Sequence, residues 1–147
     1  MVETPEFIAY YIGMAVRISR TLLDRIFAHA RGQEREVCGL LFGGSDAISG
    51  IAPADNAAPD PFRHFELEPA VLLAAHRAAR NGGPAITGHY HSHPSGTARP
   101  SATDAACARA DGALWLIVAD GDVRCWRAGE GGLHGRFTEE QLIVDEA

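Results

Sequence analysis

Apolar residues recur along this chain in two rhythms. Leu22, Leu23, Ile26, Phe27 and Ala30 fall at i, i+1, i+4, i+5 and i+8, one stripe of a 3.6-residue period. Ser19 stands where an N-cap belongs, and Gly32 stands where a helix favours a left-handed C′ residue. The spacing therefore predicts a helix over 20–31, with Val16-Arg17-Ile18 as a short strand before it. Residues 37–42 form an unbroken apolar run of strand length, ended by Gly43-Gly44. The run predicts a buried strand, with 47–52 as its hairpin partner. Residues 53–64 carry three prolines and predict a loop. Phe65-Glu66-Leu67 alternates as a further short strand. Pro69 suits the first position of a second helix that runs to about 80 and stops at Asn81-Gly82-Gly83. A strand over 85–91 follows, then a Gly- and Pro-rich loop over 94–100, then a third helix opening at Ser101. Asp120-Gly121 between 114–119 and 123–127 is a type I′ hairpin signal. A last strand or two lies between 135 and 144.

Strands interspersed with helices place the chain in the α/β class in the broad sense (α+β), a mixed sheet flanked by about three helices. The expected organisation is an N-terminal extension or arm over 1–14 and a single domain over 15–147. Met14 is a candidate start, with 1–13 then an extension. The alternative is a genuine arm, since Phe7, Ile8, Tyr10, Tyr11 and Ile12 are apolar enough to pack on something.

Composition narrows the choices. The chain has 147 residues, 46% of them hydrophobic, enough for a core in one domain. Its net charge of −6 argues against a nucleic-acid partner, which calls for a basic surface. Three cysteines without a CxxC pair indicate neither a disulfide framework nor a cysteine-rich zinc site, and a reducing cytoplasm fits. No basic signal-peptide start and no apolar stretch of membrane-spanning length is present, so no membrane association is expected.

The candidate chemistry centres on His91-Ser92-His93, Ser101 and Asp104. Residues i and i+2 of a strand share a face, so His91 and His93 can converge on one metal ion. Ser101 at N-cap and Asp104 at N3 open the third helix, which can bring a carboxylate beside the strand end. Three protein ligands with one position left for water is the arrangement of catalytic zinc. Each residue also has a plainer reading: solvated histidines, an N-cap serine, and an acidic residue favoured by the helix N-terminus. His89 shares the strand face and could by spacing alone be a third imidazole ligand.

Together with Glu36 in the segment Glu36-Val37-Cys38-Gly39-Leu40-Leu41, these residues resemble the JAMM (MPN+, JAB) zinc isopeptidase family. Its signature is a glutamate, then HxH, then seven residues, then SxxD, and every position is filled here. Gly88-His89-Tyr90-His91-Ser92-His93-Pro94 is similar to the short prokaryotic branch. The resemblance implies a cytidine-deaminase-like JAMM/MPN fold. It also implies one zinc ion held by His91, His93 and Asp104, with Glu36 as general base and Ser101 as donor to the carbonyl oxygen of the scissile bond. The family's glutamate stands two residues before the Cys-Gly pair, which selects Glu36 over Glu34. Many relatives carry an aromatic residue at the position of His89, which favours a supporting or groove role for it over ligation. Cys38 and Cys107 are expected core thiols, and Trp115 and Trp126 strand packing residues.

The implied activity is hydrolysis of the peptide or isopeptide bond after the C-terminal Gly-Gly of a ubiquitin-like or sulfur-carrier protein, by a monomer or homodimer. The loop between Pro53 and Glu66 is expected to form one wall of the groove for that tail. Two alternatives share parts of the pattern: a RadC-like JAB-domain protein, which His93-Pro94-Ser95-Gly96 and Pro100-Ser101 also match, and a non-catalytic MPN-type binding module. A cytidine deaminase is excluded by the lack of H-x-E with P-C-x-x-C.

Overall fold

The computed structural model describes residues 15–146. The predicted arm over 1–14 lies outside the described residues. In chain order the elements are β1 (Ala15–Ser19), α1 (Arg20–Ala30), β2 (Cys38–Gly43), β3 (Ala47–Ala54), α2 (Pro69–Arg80), β4 (Ile86–Ser92), α3 (Ala102–Cys107), β5 (Leu114–Ala119), β6 (Asp122–Leu133) and β7 (Phe137–Asp145). Among the described residues the sheet is mixed and carries three helices, as the patterning implied.

The strands are ordered β1-β3-β2-β4-β5-β6-β7, and β1 returns to β7, so the sheet closes on itself. Closure was not foreseen. β1 pairs in parallel with both β3 and β7. β4 and β5 form the other parallel pair, and the remaining neighbours are antiparallel. Closure rests on a short β1–β3 contact, Arg17 opposite Ala47 and Ile18 opposite Ile48, so most of β3 has no β1 partner. Arg17 also meets Asp145 at 2.7 Å and Arg20 meets Glu146 at 3.0 Å. Both pairs are well exposed and add little to the backbone ladder.

Local sequence sets each element. Ser19 Oγ accepts from the Leu22 N–H at 3.1 Å and caps α1. Such a cap contributes about 1 kcal/mol. Gly32 follows at φ +72°, the C′ conformation expected of it. α1 buries Leu23 and Ile26, each worth about 1.5–3 kcal/mol by area removed from water. At the end of α2 the Gly83 N–H donates to Ala78 O at 2.8 Å and the Gly82 N–H to Ala79 O at 3.2 Å, a Schellman closure. The β5–β6 turn has φ +37° at Asp120 and +81° at Gly121, the backbone the Asp-Gly signal calls for.

Two apolar clusters divide the faces of the sheet. One joins Val16, Ile18, Leu23, Ile26, Tyr90, Leu114, Leu116 and Val118. The other joins Ala98, Trp115, Ile117, Trp126 and Phe137. β5 contributes to both, so all six of its residues are buried, as an unbroken apolar strand should be. Trp115 and Trp126 pack as expected. Cys107 does not: it is exposed on α3, whereas Cys38 is buried. The short strand expected at Phe65-Glu66-Leu67 reduces to one bridge between Asn56 and Leu67, because Asn56 side-chain bonds take the place of a ladder there. β6 runs past Arg127 to Leu133 with a register shift between Ala128 and Leu133. No helix among the described residues is long and apolar enough to cross a membrane.

Candidate metal centre

β4 places its side chains alternately on the two faces. Tyr90 turns into the α1-side cluster, where its hydroxyl meets His29 Nδ1 at 2.7 Å. His89 and His91 belong to the opposite face, against Trp115 and Phe65. At the end of β4, His91 Nε2 and His93 Nε2 stand 3.1 Å apart. Asp104 Oδ2 lies 3.3 Å from the first and 3.2 Å from the second. The three atoms form a nearly equilateral triangle. Donors about 2.0–2.1 Å from a tetrahedral zinc ion stand about 3.3 Å from one another, so the edges fit a zinc coordination shell.

α3 delivers the carboxylate through its cap. Ser101 Oγ accepts from the Asp104 N–H at 3.0 Å, and Asp104 Oδ2 accepts from the Ser101 N–H at 2.9 Å. The plainer reading of Ser101 and Asp104 as a capping box is therefore observed, and the same Asp104 oxygen also faces both imidazoles. Accepting occupies a lone pair of the Ser101 hydroxyl and leaves its proton free to donate.

The tautomer of His93 follows from geometry. Its Nδ1 lies 2.7 Å from Thr97 O. A carbonyl only accepts, so Nδ1 carries a proton, and in the neutral ring Nε2 presents its lone pair to the cluster. His91 is buried, its ring stacked on Phe65 with centroids 4.2 Å apart and planes at 17°. Its Nδ1 is buried without a hydrogen-bond partner among the described residues.

Glu36 precedes β2 and is held on both sides. Its N–H donates to Pro61 O at 2.7 Å, and Asn56 Nδ2 donates to its carbonyl at 2.8 Å. The next residue, Val37, donates to Ser92 Oγ at 2.9 Å and accepts from the Ser92 N–H at 3.0 Å. Ser92, between the two histidines, thus ties the glutamate segment to them. Glu36 is buried, and its Oε1 has no hydrogen-bond partner among the described residues. A Glu36 oxygen and the His91 and His93 nitrogens lie within 4.8 Å of one another, a span one water can bridge.

The titration pattern follows from these contacts. Burial pushes the Glu36 carboxyl up to about 7, partly offset by His93. Burial alone would raise Asp104, but the two imidazoles and the Ser101 N–H hold it well below the usual carboxylate range. Burial lowers His91, which favours its neutral, metal-ligating form. Burial opposes protonation of His93 too, but Asp104 and Thr97 O outweigh it and raise its pKa. The Glu36 and Asp104 carboxyls, both beside the histidine pair, are thereby driven in opposite directions, the pattern of a fixed anion beside a proton carrier.

His89 stands apart from the triangle. Its ring packs edge-on against Trp115 with centroids 4.2 Å apart and lies 6.1 Å from that of His91. Burial pushes its pKa down to about 3. A cleft of about 1160 Å³ opens beside the cluster, lined by His93 and Ser95, by Phe27 and Arg31 of the α1 end, and by Asp120 of the β5–β6 turn.

Sequence reasoning named Glu36, His91, His93, Ser101 and Asp104, which the structure brings together. It missed Asn56, Phe65 and Ser92. Asn56 sits in a proline-rich loop where asparagine reads as a turn residue. Phe65 carries only the alternation signal, and Ser92 lies off the i, i+2 face that links the two histidines.

The metal-type cluster on a closed mixed sheet agrees with comparisons to known proteins. Residues 19–129 match the family described as prokaryotic homologs of the JAB domain, and the chain belongs to that family. A desampylase of Haloferax volcanii is 38% identical over 103 residues, 65% of this chain and 74% of its own. A CysO-cysteine peptidase of Mycobacterium tuberculosis is 31% identical over 137 residues, 88% of this chain and 90% of its own. A probable TtuB-protein conjugate cleaving protease of Thermus thermophilus is 34% identical over 95 residues, 64% of each chain. The solution structure of a Desulfitobacterium hafniense protein superposes with a TM-score of 0.75 at 28% identity, covering 90% of this chain and 94% of that one.

Proposed function

We propose that this chain is a zinc metallopeptidase that hydrolyses the bond after the C-terminal Gly-Gly of a ubiquitin-like sulfur-carrier protein. The observation that carries the reading is the triangle of His91 Nε2, His93 Nε2 and Asp104 Oδ2 beside the buried Glu36 carboxyl, whose Oε1 has no hydrogen-bond partner among the described residues. The three named relatives support a peptidase over the RadC-like and scaffold alternatives, since each is named for cleaving or processing.

Two donor sets share the histidine pair, one completed by Asp104 and one by Glu36. We assign Asp104 as the ligand. Its oxygen already sits at ligand-to-ligand spacing and is held in its charged form. Glu36, with a pKa near neutrality, suits a group that gains and loses a proton during turnover. Zinc, when bound, supplies Lewis acidity and brings the pKa of a water toward about 7. Glu36 then accepts a proton from the attacking water and passes it to the leaving amine. Ser101 donates its hydroxyl proton to the carbonyl oxygen as charge develops. Phe65 and Trp115 keep bulk water from the His91 side of the site.

The partner enters through its flexible tail. A glycine pair has no side chains to clash with the walls of a narrow groove, and we place the loop over residues 57–66 as one wall. The cleft between His93 and the end of α1 leaves room for the leaving group. The test is intact-mass analysis of sulfur carriers from the same genome, each bearing one residue after Gly-Gly. Trimming to Gly-Gly by zinc-loaded protein, but not by chelated protein or Glu36→Gln, is the expected result. Failure of the zinc-loaded wild type to trim any carrier would sink the assignment.

A further inference from the structure

The Asn56 side chain is the most heavily bonded polar group next to the site. Its amide donates to Glu36 O at 2.8 Å and to His64 O at 2.8 Å, with Pro61 O at 3.4 Å. Its carbonyl accepts from the Ala58 N–H and the Glu66 N–H, each at 3.0 Å. Two donors and two lone pairs are the whole capacity of a carboxamide, and all are used. Only an amide satisfies this set: an aspartate would offer a second acceptor to carbonyls that need a donor.

These bonds link two things the site requires. One end holds the backbone of Glu36, whose N–H is also bound to Pro61 of the same loop. The other end holds the backbone of residues 58–66, and so sets where Phe65 lies over His91. From this geometry we infer that Asn56 is a positioning residue for the hydrolytic step, acting through Glu36 and Phe65. Every partner of its side chain is a backbone atom. The inference rests on the peptidase reading for its kinetic part and on the structure alone for its local part.

The experiment uses Asn56→Asp and Asn56→Ala in the full chain. Amide hydrogen exchange comes first, because it needs no substrate. Exchange at Glu36, Ala58 and Glu66 should quicken in both variants, while Val118 in β5 keeps its protection. Zinc stoichiometry should stay at one. With a trimmed carrier as substrate, kcat should fall about ten- to a hundredfold with KM little changed. A double variant, Asn56→Asp with Glu36→Gln, should lose less than the product of the two single losses, since one of the two residues acted upon is already gone. Unchanged exchange at Glu36, wild-type kcat in Asn56→Asp, or additive losses in the double variant would each overturn the inference. If the wild type trims no carrier, the peptidase reading fails, and the exchange pattern still decides whether Asn56 fixes Glu36.

Discussion

His91 Nε2 faces His93 Nε2 across 3.1 Å, and neither imidazole can satisfy the other while both present lone pairs. Either a proton or a cation must lie between them. Thr97 O fixes the His93 tautomer and turns its lone pair inward, and Asp104 adds an anion at 3.2–3.3 Å. The arrangement is built for positive charge. Zinc should therefore bind one per chain and raise Tm by about 5–10 °C at a hundredfold excess over Kd. His91→Ala and Asp104→Ala should lose both the metal and the shift, whereas Glu36→Gln should keep them. Metal analysis with thermal unfolding checks all three. Zinc lost from Glu36→Gln and retained by Asp104→Ala would reverse the assignment of ligand and base.

Glu36 carries the opposite electrostatic signature. Burial raises its carboxyl from about 4.5 to about 7, so the native state binds a proton that the unfolded chain releases. Metal-free wild type should then lose stability as pH rises from about 4.5 to about 7 and change little above that, as far as this group is concerned. The loss is on the order of 2 kcal/mol, at 1.36 kcal/mol for each pKa unit and with solvent screening allowed for. Glu36→Gln removes it, so the chelated variant should melt higher than chelated wild type at pH 8 and match it at pH 4.5. The zinc-loaded variant should meanwhile lose roughly 10²–10⁴ in rate. Higher stability with lower activity from one substitution marks a buried charge kept for chemistry.

The observed cap and the proposed oxyanion role of Ser101 can be separated by substitution. Its oxygen caps α3 through the Asp104 N–H, and its proton is free for a substrate. Ser101→Ala should cost about 1 kcal/mol for the cap and roughly 10²–10³ in kcat for the lost oxyanion donor. Ser101→Thr keeps both functions and should recover most of each. Denaturant unfolding and steady-state kinetics read the two losses. A purely capping role would show the first loss without the second.

What the sequence revealed about this site follows from the range of each signal. His91 near the end of β4 and His93 just past it are linked by strand alternation, and Ser101 and Asp104 by the first turn of a helix, so local periodicity suffices to place them. Glu36 lies 55 residues before His91 and was identified through family resemblance, not through spacing. Barrel closure depends on β1 pairing with β7, residues such as Arg17 and Ile143, which no local pattern connects. The same holds for Asn56, whose partners span residues 36 to 66. Cys107 was misjudged because an alanine-rich α3 of six residues reads as apolar yet is too short to bury more than Asp104.

Gly88 offers a test of the strand that carries the histidines. It is buried in β4 opposite Leu114 of β5, and a Cβ added there would run into the Leu114 backbone carbonyl. Backbone cannot rotate away as a side chain can, so the parallel β4–β5 pair must separate or shear. Gly88→Ala should cost about 3 kcal/mol or more and lower zinc affinity with it, since His91 is only three residues along the same strand. Gly129 in β6 has nothing within 4 Å of its added Cβ. Gly129→Ala should fall within about 1 kcal/mol of wild type and leave zinc binding unchanged. Urea midpoints and zinc titrations of the two variants check the contrast. Equal stability of both would mean that β4 and β5 are not packed this closely.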